Sequence, residues 1–153
     1  MTEGDRRLVV APDRRRAARG GRRESDRPGR HPVILLADSY EDARSPVARY
    51  LDRFGFDVRE ATTADEAVAA LDRDQPEVLL SGLRGADAAV LFDALSARGP
   101  GAPRVIMVLL SANDDPVPPV ATGVMSKPFS LRPMLDELRR EIRAAGRART
   151  SWL

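Results

Sequence analysis

From residue 32 onward, short apolar runs alternate with helix-patterned stretches, and this alternation most limits what the chain can fold into. Val33-Ile34-Leu35-Leu36-Ala37 is a continuous apolar run, as expected for a strand buried on both faces of a parallel sheet. Val47, Tyr50, Leu51 and Phe54 then fall on one stripe of a helix, with Pro46 in its early turns and Gly55 placed to end it. Phe56-Asp57-Val58-Arg59-Glu60 alternates like a half-buried strand near a sheet edge. Thr63 and Glu66 form a capping box for a helix through Ala67, Val68 and Leu71. Val78-Leu79-Leu80-Ser81 is a third strand, and Asp87 is placed to cap a helix holding Val90, Leu91, Phe92 and Leu95. Val105-Ile106-Met107-Val108-Leu109-Leu110 is the strongest strand. A brief strand around Gly123-Val124-Met125 precedes a last helix from about Ser130, with Leu131, Leu135, Leu138 and Ile142 on one face and Asp136 paired to Arg140. Such a series predicts an α/β fold of βαβ units around a parallel sheet.

Two segments depart from this rhythm. Asp114-Asp115-Pro116-Val117-Pro118-Pro119-Val120 holds three prolines in four residues, and each costs about 3 kcal/mol inside a helix. A loop or turn is expected there. Residues 1–31 carry ten arginines against five acids, a net of +5, which leaves −3 for the rest of a chain whose total is +2. Rich in Arg, Gly, Asp and Pro, this arm buries too little apolar surface to offset its ordering entropy, and is expected to be disordered. It reads as a solvated extension or as a nucleic-acid contact through its arginines, although it offers no aromatic residue for base stacking. The domain is expected over residues 32–145, followed by a basic tail over 146–153 in which Trp152 is a possible anchor.

Composition narrows the function classes. Cysteine is absent and His31 is the one histidine, so disulfides, thiolate chemistry, zinc–cysteine sites and histidine triads drop out. No apolar run reaches the roughly 18 residues of a membrane span, and the charged N-terminus does not resemble a secretory signal. A cytoplasmic protein without a membrane contact is expected. Lys127 is the only lysine beside 24 arginines, and an ammonium on a flexible stem is a different tool from a planar guanidinium.

Three strings in this order resemble the receiver domain of response regulators over about residues 32–145. They are Ile34-Leu35-Leu36-Ala37-Asp38-Ser39, Pro76-Glu77-Val78-Leu79-Leu80-Ser81-Gly82-Leu83-Arg84 and Ser126-Lys127-Pro128-Phe129. The resemblance implies five parallel strands in flavodoxin-like order 2-1-3-4-5 with helices on both faces. It implies two acids after the first strand, an acceptor aspartate after the third, a hydroxyl after the fourth and a lysine after the fifth. Matched residue by residue, Asp38 fits the first acid and Ser39 stands for the second. Gly82 falls where the phosphoacceptor belongs, Ser111 fits the hydroxyl and Lys127 the lysine. Ser81 is the nearest hydroxyl to the acceptor place, but precedes it and is expected to point to the other side.

Glycine has nothing to phosphorylate, and one carboxylate is a poor magnesium site, so neither cofactor nor metal is expected. Lys127 is read as an ion-pair partner of Asp38, Ser111 as a group satisfying backbone at a strand end, and Lys127–Pro128 as a possible cis bond. Only 16 positions separate Ser111 from Lys127, several fewer than the family spacing, so helix four is expected to be shortened or replaced by the Pro-rich loop. Val124 takes the place of the switch aromatic. The expected role is not enzymatic: a phosphorylation-independent pseudo-receiver in two-component phosphorelay signalling that binds a protein partner. The alternatives are a phosphoryl-accepting regulator using a non-standard residue, or nucleic-acid binding through residues 1–31.

Overall fold

The computed structural model describes residues 32–110 and 117–150, the last four of these in backbone only. Five strands and four helices alternate: β1 Val33–Ala37, α1 Glu41–Arg53, β2 Asp57–Ala61, α2 Ala64–Asp74, β3 Val78–Ser81, α3 Gly85–Arg98, β4 Val105–Leu110, β5 Gly123–Ser126 and α4 Leu131–Thr150. A 3-10 turn, Gly99–Gly101, follows α3. The strands form one sheet in the order β2-β1-β3-β4-β5 with every pairing parallel. This is the 2-1-3-4-5 order that the receiver resemblance implies.

Strand alternation sorts the core into two layers. Ile34, Leu36, Val78, Leu80, Met107 and Leu109 meet Val47 and Leu51 of α1 and Met134, Leu135 and Leu138 of α4. On the opposite face Leu35, Ala37, Leu79 and Ile106 meet Ala67, Ala70 and Leu71 of α2 and Leu91 and Leu95 of α3. The three central strands are buried on both faces, which is why they read as unbroken apolar runs. At the edge, β2 keeps Arg59 and Glu60 in solvent.

Local chemistry sets the helix ends. The Thr63 hydroxyl accepts from Glu66 N at 3.2 Å. The Glu66 carboxylate returns to the amide of Thr62 at 2.7 Å and to its hydroxyl at 2.9 Å. These bonds, the Thr62 amide first, hold the Glu66 carboxyl below its ordinary value. The support they give is therefore present above the unfolded-state value and is lost as pH falls through the folded one. Thr63→Ala is expected to cost about 1 kcal/mol, read as a lower urea midpoint with an unchanged slope; a midpoint equal to wild type would refute the cap.

Three local expectations are corrected. Asp87 does not cap α3: Gly85, at φ 60°, turns the chain into the helix two residues earlier. Asp87 Oδ1 instead accepts from Ala64 N, at the start of α2, at 3.4 Å. Asp136 pairs with Arg132 at 3.5 Å, while Arg140 turns to Glu137; both arrangements use helix-neighbour spacing, so sequence alone leaves them close in energy. Finally, α4 continues to Thr150, past residue 145, because nothing in 146–150 interrupts a helix strongly. Trp152 lies outside the described residues, as do the arm and residues 111–116.

Among the described residues no helix lies between β4 and β5. Residues 117–122 run back to the sheet instead, with Val120 and Ala121 packed against the α2–α3 layer. Thr122 ties this segment to β4: its amide donates to Ile106 O at 2.8 Å and its hydroxyl accepts from Ile106 N at 2.9 Å. None of the described helices is long and apolar enough to cross a membrane.

Candidate functional site

Parallel pairing brings three strand ends together. Ala37 is level with Ser81 across β1 and β3, and Gly82 N donates to Ala37 O at 2.7 Å. Residues 38 and 82 are therefore side by side. Across β4 and β5, Leu110 is level with Ser126, and Lys127 N donates to Leu110 O at 2.6 Å, which carries Lys127 to the same end of the sheet. Position 82 shares its parity with Val78 and Leu80, so a side chain there would rise on the α1–α4 side, where Asp38 also lies. Ser81 has the other parity, as expected from sequence. It is buried, and its hydroxyl accepts from Leu83 N at 3.3 Å.

Asp38 is 2% exposed, and each of its carboxylate oxygens accepts a hydrogen bond. Its Oδ1 accepts from Tyr40 N at 3.0 Å and its Oδ2 accepts from Lys127 Nζ at 3.0 Å. The carboxylate leans over Gly82. A Cβ built on Gly82 would overlap Asp38 Oδ2 and lie 3.0 Å from its Cγ and 3.2 Å from Lys127 Nζ. Glycine here is not a conformational requirement, since its φ is not in the left-handed region. It is a matter of space: the Asp38 carboxylate lies in the volume in which an acceptor side chain would begin, so a Cβ there requires that side chain to shift.

Sequence reasoning did not single out Arg44, which steadies this arrangement from α1. Its Nη1 donates to Asp38 O at 2.9 Å while its Nε pairs with Glu60 Oε1 at 2.8 Å. The signal available was its position in the first turns of the helix that follows Asp38, within reach of the strand ends.

Of the five residues assigned to the site, the structure assembles Asp38, Gly82 and Lys127. Ser39 is exposed beside them, and no hydrogen bond ties its hydroxyl to that group. Ser111 lies outside the described residues. Val124 is 42% exposed on the edge strand. The Lys127–Pro128 bond is cis.

The receiver resemblance implies a magnesium ion; among the described residues matched to its site, Asp38 alone carries a carboxylate. Both oxygens of Asp38 already accept hydrogen bonds, Gly82 offers no ligand, and among the described residues no three His, Cys, Asp or Glu side chains gather. Magnesium asks for a near-octahedral oxygen shell with carboxylate help.

The sheet order, the two helix layers and the convergence of strand ends define a receiver-type fold. Comparison with known proteins agrees. Over 118 residues the chain is 29% identical to the C4-dicarboxylate transport transcriptional regulatory protein DctD of Rhizobium meliloti (strain 1021), covering 71% of this chain and 25% of that protein. It thus spans about a quarter of that curated relative's length. Crystalline NtrX from Brucella abortus superposes with a TM-score of 0.65 at 21% identity, over 79% of this chain and 29% of NtrX. The pseudo-receiver domain of the CikA protein superposes at 0.56 with 25% identity, over 72% of this chain and 97% of that domain. No protein-family model matches the chain.

Proposed function

We propose that this chain is a receiver-type module of two-component signalling that recognises a protein partner without phosphoryl control. One observation carries the reading: the Asp38 carboxylate, held by Lys127 and Tyr40 N, occupies the space over Gly82. The lysine that would meet an incoming phosphoryl group already has an anionic partner. The likeness to a transcriptional regulatory protein and to a pseudo-receiver supports the signalling context. Under this reading the protein performs no chemical step and needs no cofactor. Its contact surface is α4 with the remodelled 117–122 segment, beside which Val117 and Val124 stand 40% and 42% exposed.

Incubation of the full chain with acetyl phosphate and Mg²⁺, followed by intact-mass measurement, tests this. The expected result is an unmodified chain. A stable adduct of one phosphoryl group, mapped to any Asp, Glu or Ser, would replace the proposal with that of a phosphoryl-accepting regulator using a non-standard residue.

A further inference from the structure

A cavity of about 480 Å³ opens between the first turns of α1 and the connection from β5 to α4. Its size falls in the range of small-molecule sites, which combine apolar walls with a few polar groups. Leu36, Val47 and Leu109 line it and are 1%, 5% and 3% exposed. Pro46, Phe129 and Leu131 line it too and are half-buried, so they carry most of the apolar surface that a ligand can reach. Asp38 and Lys127 also line the cavity, but each neutralises the other. The unbalanced charge is Asp42, an exposed carboxylate with which no described cation pairs. Glu41 beside it is also exposed and acidic. An apolar pocket with a negative rim and a neutral ion pair at its side complements an apolar molecule that carries a positive head.

We propose that this cavity binds a small organic amine, its ammonium against the Asp42 carboxylate and its hydrocarbon body along Pro46, Phe129 and Leu131. An anionic head finds no free cation there, since the Lys127 charge is taken by Asp38. The inference rests on the cavity and its charge and not on the absence of phosphoryl chemistry. As an acid in the first turn of α1, Asp42 also complements the helix dipole, so the test has to separate recognition from helix support.

Three probes of equal chain length do so: n-octylamine, n-octanol and n-octanoate, each below its aggregation concentration. They are titrated into the full chain and read by amide chemical shifts. The amine is expected to give saturable shifts at Val47, Phe129 and Leu131. Octanol should bind about threefold more weakly, the scale of an exposed ion pair, and octanoate more weakly still. Asp42→Asn should lower the amine's affinity to that of octanol and leave octanol's unchanged, which a loss of helix support alone would not do. Ala43→Leu, which narrows the same cavity, should weaken all three probes; thermal melts establish that the variants are folded. If Ala43→Leu does not fold, the Asp42→Asn comparison decides by itself. The proposal is overturned if no probe gives saturable shifts at these residues, if octanol or octanoate binds as tightly as the amine, or if Asp42→Asn leaves the amine's affinity unchanged. None of these outcomes bears on the mass measurement above.

Discussion

Replacing Gly82 by Asp is expected to destabilise the protein by about 3 kcal/mol and to leave it unphosphorylated. The new Cβ would overlap Asp38 Oδ2. An Asp side chain is short, and this one is buried and bonded at both oxygens, so it cannot swing aside without losing Lys127 or Tyr40 N. The added carboxylate then places a second negative charge against the first in a site that one lysine neutralises. Gly82→Ala isolates the steric part and should cost about 1–3 kcal/mol, the usual range for overpacking. Urea unfolding of both variants, with intact mass after acetyl phosphate treatment of Gly82→Asp, checks the pair of claims. Wild-type stability for Gly82→Ala would mean that the carboxylate yields freely. A phosphorylated Gly82→Asp would mean that only the acceptor had been missing.

The second large effect belongs to Lys127. Removing it by Lys127→Met leaves Asp38 buried beside an apolar group, and breaking a buried ion pair from one side costs about 3–5 kcal/mol. Lys127 is 23% exposed and Tyr40 N remains on Oδ1, so about 2–3 kcal/mol is expected here after that discount. Asp38→Asn added to Lys127→Met removes the stranded charge and should recover most of the loss. In a double-mutant cycle the two changes are strongly non-additive. Additivity within about 0.5 kcal/mol would show that the pair is not coupled.

How far the chain discloses itself before folding depends on what kind of interaction decides each feature. Strands β1, β3 and β4 were legible because burial on both faces demands unbroken apolar residues, and α2 because Thr63 and Glu66 announce its start. Features decided by competition between near-equal local options were not. Asp87 suits an N-cap, yet Gly85 lets α3 begin first; Asp136 suits Arg140 as well as Arg132. Met134, buried in the α1–α4 layer, does not stand out in the sequence because Leu131, Leu135, Leu138 and Ile142 already mark an apolar helix face. At the site, the residue types of Asp38, Gly82 and Lys127 could be read in order along the chain, and the Asp38–Lys127 pair could be expected. That the carboxylate fills the space above Gly82 depends on the registers of two strand pairings and on Tyr40 N and Arg44, none of which a linear pattern records.

Recognition without phosphoryl control depends on the side chain of Asp38, just past β1, standing where an acceptor would stand, with Lys127 already committed to it. Titration of the full chain with Mg²⁺ and fluoroberyllate, a tetrahedral phosphoryl mimic, read at the amides of Asp38, Gly82 and Lys127, tests this most directly. The predicted result is that these resonances stay in place up to millimolar concentrations of both. Saturable shifts centred on the three amides would contradict it.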